Sequence, residues 1–222
     1  MIASPFSEHV SFVCLGSVPE GLDIYREEAL ILSPKAVSKR RTEFKTGRVA
    51  AHRAVQRLTG QPSPPILKGQ RGEPLWPDHL VGSIAHTDGI AMAAVAFQAV
   101  LKGIGVDFEL KDRRFSTAIS DRVCTDAEKL WVNEDAQESA QRFLTVFSAK
   151  ESFYKAYTTC YRAEPAFTDV LLCVVEGQRF TIKTLNEHTV PSRTLEGLFV
   201  GYKWLDGYVV TFMEIPADDA GS

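Results

Sequence analysis

No cysteine of this chain sits in a CxxC pair. The four, Cys14, Cys124, Cys160 and Cys173, are scattered, and no histidine cluster lies beside them. That excludes the usual zinc spacings and predicts reduced thiols in a cytosolic protein rather than a disulfide scaffold. Long apolar runs are also missing, and none approaches the roughly 20 residues needed to span a bilayer. The N-terminal stretch lacks the basic region and apolar core of a signal peptide, so none is expected. An excess of one charge is absent too. The formal net charge is −3, which gives no global signal for nucleic acid or an anionic membrane. No sequence repeat and no low-complexity tract are present.

What is there is a core. The chain has 222 residues, 45% of them apolar, enough for one large domain or two small ones. SFVCL (Ser11 to Leu15) reads as a first strand. A helix is expected from Ser33, with Pro34 in its first turn and apolar positions at Val37, Phe44, Ala51, Ala54, Val55 and Leu58, until Gly60 ends it. QPSPP can only connect. GQRGEPLWPDHLVG is rich in turn residues. VGSIAH and IAMAAVAF read as strands around a TDG turn, and GIGVDFEL as another. Phe115 to Asn133 is mostly helical, with a capping box at Thr125 and Glu128. A strong helix follows from about Glu138 to Tyr157. FTDVLLCVVE, RFTIKTL, LFVGYKWL and YVVTFMEI alternate like strands, with turns at EGQ and DG. The tail ADDAGS is expected to fray. Each half thus offers strands and one long helix. The expected class is α+β, two similar lobes forming a pseudo-dimer, with residues 1–102 in one and 103–222 in the other.

Chemistry concentrates in three places. Asp107 and Glu109 are two apart on an apolar strand and so face the same way, and burying both demands a cation. FSAKESFYKAY (Phe147 to Tyr157) places Glu151 and Lys155 on one helix face. Asp107, Glu109 and Glu151 together suit a hard divalent cation such as Mg²⁺, with phosphate oxygens completing its shell and Lys155 free to meet a phosphate. In GSIAHTDG, His86 ends a strand near candidate cations Arg48 and Arg71. The segment from Ser33 to Leu58 is dense in Lys and Arg with Glu43 its single acid; charge alone favours a solvated basic face over an anion site.

Taken in order, KRRTEFKTGRVAAHRA (Lys39 to Ala54), RGEPLWPDHLVGSIAHTDG (Arg71 to Gly89), GIGVDFE (Gly103 to Glu109) and FSAKESFYKA (Phe147 to Ala156) resemble the 4′-phosphopantetheinyl transferases of the monomeric, pseudo-duplicated type. The first two blocks resemble the enterobactin-synthase-associated branch. The resemblance implies a coenzyme A site in the cleft between two lobes. It implies transfer of phosphopantetheine to a serine of an apo acyl, peptidyl or aryl carrier protein, with release of 3′,5′-ADP, in fatty-acid, siderophore, nonribosomal-peptide or polyketide synthesis. It implies Mg²⁺ (or Mn²⁺) on Asp107, Glu109 and Glu151, a pyrophosphate contact from Lys155, and Arg40, Arg48, Lys68, Arg71 and His86 toward the nucleotide end of CoA. Glu151 is the expected general base, with Asp107 and Lys155 assisting. Carrier contacts are expected on the second lobe, bordered by Phe115 to Asn133, and Phe147 and Tyr154 beside the pantetheine arm. A cytoplasmic monomer is expected. Two rivals remain: a Mg²⁺-dependent phosphodiesterase or nuclease, in which the block from Arg71 to Gly89 has no role, and a CoA-binding protein without turnover.

Overall fold

The computed structural model describes residues 2–205 and 207–218. The tail beyond Asp218 and the aspartate of the DG turn lie outside the described residues. In chain order the elements are β1 (Ser11–Leu15), α1 (Arg26–Ala29), α2 (Ser38–Thr59), β2 (Leu67–Lys68), β3 (Pro74–Leu75), β4 (Leu80–Thr87), β5 (Ile90–Phe97), β6 (Leu101–Leu110), α3 (Thr117–Val123), α4 (Asp126–Asn133), α5 (Ser139–Tyr161), β7 (Val170–Val175), β8 (Arg179–Thr184), β9 (Phe199–Leu205) and β10 (Tyr208–Pro216). The antiparallel strands form a three-stranded sheet in the order β1-β5-β4 and a five-stranded sheet in the order β6-β10-β9-β8-β7. The fold is α+β with two lobes, each a sheet covered by one long helix.

Alternation along the strands makes the layers. Ala93 and Val95 of β5 face α2, in a core with Ala50, Ala51, Ala54 and Val55. Met92, Ala94 and Ala96 face the other way, and meet Ile104, Val106 and Phe108 of β6 between the lobes. Edge strands β4 and β6 lie side by side there, and the Val106 N–H donates to Ser83 Oγ across 3.1 Å. The opposite face of β6 carries Gly103, Gly105, Asp107 and Glu109, and α5 lies on it.

Two boundaries differ from the sequence pattern. Helix α2 starts at Ser38, not Ser33. Ser33–Ala36 forms a separate turn, and Arg41 donates back to the carbonyls of Ala36 and Pro34, so a side chain rather than a helical ladder satisfies them. Helix α5 runs on to Tyr161, with Arg162 as a left-handed cap at φ 54°. The Thr125–Glu128 capping box forms as expected, with Glu128 N–H donating to Thr125 Oγ1 and Thr125 N–H to Glu128 Oε2.

Each lobe also contains a buried glutamate in the same structural role. Glu28 accepts from Tyr25 N–H (2.9 Å), Ile66 N–H (2.8 Å) and His52 of α2 (2.8 Å). Glu128 accepts from Thr125 N–H (2.7 Å), Leu172 N–H (2.8 Å) and Lys150 of α5 (2.7 Å). In both, the carboxylate closes its own helix start, takes one N–H from a later extended segment, and binds the long helix.

Candidate active site

The site is built where α5 crosses β6. Glycine makes the crossing possible: a Cβ on Gly105 would stand 1.8 Å from the Ser152 carbonyl oxygen, and one on Gly103 would stand 2.8 Å from that of Ala156. With nothing on that strand face but hydrogen, the small ridge Ser148, Ser152 and Ala156 of α5 rests directly on the backbone. The next residue up the same face is Asp107, and the helix delivers its partners to it.

Asp107 is buried. Ser148 Oγ donates to its Oδ2 (2.9 Å) and Lys155 Nζ to its Oδ1 (2.7 Å), while Lys155 also donates to the Val106 carbonyl (3.1 Å). The Ser148 carbonyl accepts from Thr211 Oγ1 of β10 (2.8 Å). Glu109 is buried beside Asp107, and both its oxygens accept from Arg113. Burial raises the Glu109 carboxyl above the usual range, Arg113 opposes this, and Asp107 adds to it. Glu151 is raised by burial as well; Lys155 opposes and Asp107 adds. Burial works against the charge on Lys155, but Asp107 and Glu151 outweigh it and hold the ammonium above its ordinary value. Asp107 therefore acts on both of the other sequence-predicted acids. Lys155 and Arg113 supply the positive charge that makes the Asp107–Glu109 pair tolerable here.

As the side chains stand, no group of three or more His, Cys, Asp or Glu among the described residues is gathered closely enough to hold a metal ion. The donor chemistry still suits a hard divalent cation, since Mg²⁺ takes one or two protein carboxylates and fills its shell with water and phosphate.

Glu151 and Lys155 line a cavity of about 240 Å³ together with Tyr154, Thr158, Thr159, residues 82–84 of β4 and residues 71–74. Arg71 thus lines the same cavity as Glu151, and its Nε pairs with Glu164 (2.8 Å) just past α5. Lys68 is exposed on the neighbouring hairpin and packs over Gly72, outside that lining. On the first lobe, Arg40 Nη1 lies 2.8 Å from His86 Nε2, with Glu43 3.7 Å from the other ring nitrogen. Burial and Arg40 hold the His86 pKa below its usual value, so the ring is neutral at pH 7 and Nε2 accepts from Arg40. Arg48 is buried under the Phe44 ring, 4.8 Å from guanidinium carbon to centroid. Its Nε has no hydrogen-bond partner, and its counter-charge, Glu28, is 4.0 Å away and already engaged by three donors. An incompletely neutralised guanidinium beside Arg40 is suited to an anion.

Four contributors escape the sequence patterns. Ser148 and Thr211 position Asp107, Arg113 engages Glu109, and Glu43 backs His86. Only Gly103-x-Gly105-x-Asp107 carries a local signal, namely two glycines on the face of a buried acid. Lys150, in the same motif as Glu151, is fully buried and donates to the carbonyls of Val123, Phe167 and Val170 besides pairing with Glu128; it is part of the framework. Phe147 packs among Phe115, Phe143 and Phe167, whereas Tyr154 lines the cavity.

Residues 26–96 match the 4′-phosphopantetheinyl transferase N-terminal domain, and residues 103–213 match the 4′-phosphopantetheinyl transferase superfamily. The chain is 36% identical to the 4′-phosphopantetheinyl transferase PptT of Mycobacterium tuberculosis, over 86% of this chain and 83% of that protein. It is 35% identical to the 4′-phosphopantetheinyl transferase Svp of Streptomyces mobaraensis, over 87% and 79%. It is 33% identical to enterobactin synthase component D of Salmonella typhi, over 54% and 49%.

Proposed function

This chain belongs to the 4′-phosphopantetheinyl transferases, in the branch related to enterobactin synthase component D, and is an enzyme of that family; from that premise we propose that it moves the phosphopantetheine arm of coenzyme A onto a serine of an apo carrier protein. The observation that carries the reading is the crossing at Gly105, which sets Lys155 and Glu151 against Asp107 at a cavity reached by Arg71.

In the proposed reaction the serine Oγ attacks the β-phosphorus of CoA. A new P–O bond forms, the bond to 3′,5′-ADP breaks, and the serine proton leaves. Such transfers need positioning and charge neutralisation more than covalent help. Lys155 is a compact positive charge for the pyrophosphate. Glu151, with its carboxyl raised by burial, is the base that accepts the serine proton. Arg40, Arg48 and Arg71 bind the phosphates of the nucleotide end, Lys68 closes the approach, and His86 orients Arg40. Asp107, Glu109 and Glu151 are the residues that would hold Mg²⁺, which when bound offsets charge on the pyrophosphate. The proposal includes the division into residues 1–102 and 103–222, with the nucleotide on the first lobe and the carrier on the second. A cytoplasmic location completes it; no helix among the described residues is long and apolar enough to cross a membrane.

The test is to incubate the protein with CoA, Mg²⁺ and an apo carrier and to weigh the carrier by intact mass spectrometry. The reading predicts a gain of one phosphopantetheine group, lost in EDTA. CoA binding with no gain on several unrelated carriers would favour a binding protein. Phosphodiester cleavage without a carrier would favour a hydrolase.

A further inference from the structure

Arg40 and Glu43 lie three apart on α2 and so share a face, and the end of β4 brings His86 to both. Arg40 Nη1 is 2.8 Å from Nε2 of the ring, and a Glu43 oxygen is 3.7 Å from Nδ1. A guanidinium only donates, so Nε2 accepts and the ring proton sits on Nδ1, toward Glu43. Lys155 of α5 also acts on the ring. Asp88, in the turn after β4, pairs with Lys39 (3.4 Å). Asp107 and Glu109 of β6 are engaged by Lys155 and Arg113, and β5 carries no titratable residue. Glu43 is therefore the carboxylate turned toward the imidazole. Its side chain is 13% exposed, so salt and water screen it little. The reaction proposed above gives it no task.

We propose that Glu43 is a positioning residue that lets His86 take up a proton when a phosphate arrives at Arg40 and Arg48, turning a neutral acceptor that holds Arg40 into a second cationic donor. This deepens the function proposed above and rests on it, the phosphate being one at the nucleotide end of CoA. The proton comes from solvent and adds to Nε2. The hydrogen bond from Arg40 to Nε2 is lost, and the freed Arg40 N–H and the new Nε2–H both donate to phosphate oxygens. The Nδ1–H stays toward Glu43, which becomes the counter-charge of the imidazolium. No bond to phosphorus changes. In the free protein burial, Arg40 and Lys155 work against a proton on the ring, and Glu43 favours it. A phosphate dianion joins Glu43 and turns the balance. The His86 pKa is therefore low in the free protein and high in the complex. CoA affinity rises as pH falls from the bound value to the free one.

The experiment is calorimetric titration of the full-length protein with CoA and with dephospho-CoA, which lacks the 3′-phosphate. It is run at pH 7 in saturating Mg²⁺, in two buffers of different ionisation enthalpy, so that the protons bound per ligand are read directly. Protons released at the acids appear with both ligands and cancel in the difference. The free 3′-phosphate is mostly dianionic at this pH, and its own loss of a proton on binding has the opposite sign. In the wild type CoA should take up about half a proton or more beyond dephospho-CoA. Glu43→Gln should bring that difference close to zero and weaken CoA about fivefold, the worth of one unit charge at this distance, with dephospho-CoA nearly unchanged. Glu43→Asp keeps the charge and should recover part of the uptake. His86→Gln should remove it whatever stands at position 43. Undiminished uptake in Glu43→Gln or in His86→Gln, no uptake by the wild type, or equal weakening of both ligands by Glu43→Gln would overturn the inference. Failure of the underlying reading looks different, since the wild type would then bind neither ligand. Melting curves guard against misfolding; were Glu43→Gln unfolded, the wild type and His86→Gln would decide alone.

Discussion

The two lobes solve one construction problem with the same device and then diverge. Each ties its long helix down with a buried glutamate at the start of a short helix, Glu28 in the first and Glu128 in the second. In the second lobe the node is closed. Lys150 pairs with Glu128 and shares its other two protons among three carbonyls. In the first lobe it is left open. His52 takes Glu28, and Arg48 is buried nearby with an unpartnered Nε. The first lobe thereby keeps a cation in reserve, facing Arg40, while the second places its working charges one residue and about one turn further along, at Glu151 and Lys155. On the proposed function, the duplicated frame holds an anion on one side and performs chemistry on the other.

The sharpest way to break the comparison is at the closed node. Lys150→Met leaves Glu128 buried and unpaired, and should cost about 3–5 kcal/mol in urea unfolding. Glu28→Gln keeps an acceptor for the N–H donors and should cost only about 1–3 kcal/mol. Equal losses would mean that the two nodes are not different in kind. Asp107→Asn should lower the transfer rate by about 10²–10³-fold, the usual cost of removing one preorganised charge contact, with a modest change in Tm. Gly105→Ala should destabilise by about 1–3 kcal/mol and also depress transfer, because α5 must lift off β6; unchanged kinetics in that variant would separate the glycine from the site. Arg48→Met should weaken CoA binding about tenfold, the worth of a charged hydrogen bond, with little loss of stability; calorimetry and a melting curve on one sample test both.

The smallest expected effect is on pH dependence. The Glu151 carboxyl is raised in the folded protein by burial, with Lys155 opposing and Asp107 adding. Its contribution to stability is present below the unfolded Glu value of about 4.3 and is lost as pH rises through the folded value. Glu151→Gln should therefore raise Tm at neutral pH and give no gain in acid, while abolishing the rise of transfer rate with pH expected of the wild type through the same window. A full transfer rate in that variant would end the role of Glu151 as base.

Much of this was legible before any coordinates. The apolar runs IAMAAVAF and GIGVDFEL specified strands, and S/T-x-x-E specified the start of α4. Asp107, Glu109, Glu151 and Lys155 were readable because strand and helix periods put them on single faces. The rest was hidden for a physical reason. The Glu28 node draws its partners from residues 52 and 66, far along the chain, and its N-cap position is Tyr25, which gives no capping signal. Ser148 and Thr211 resemble ordinary core hydroxyls until β10 pairs with β6. Arg113 reads as a solvated charge in KDRR, and only the turn after β6 folds it onto Glu109. Pro34 suits a first turn and so points to a helix start at Ser33, whereas Arg41 satisfies the carbonyls of Pro34 and Ala36 ahead of α2.

Helix α5 carries two lysines five residues apart, one given to the frame and one to the chemistry. Measuring the transfer rate and the urea midpoint of Lys150→Met beside those of Lys155→Met tests that division most directly. The account predicts that Lys155→Met loses transfer and less of its midpoint than Lys150→Met does, because Asp107 keeps its Ser148 donor, and that Lys150→Met loses most of its midpoint while its folded fraction still transfers. A Lys155→Met protein with wild-type transfer, or a Lys150→Met protein as stable as wild type, would contradict it.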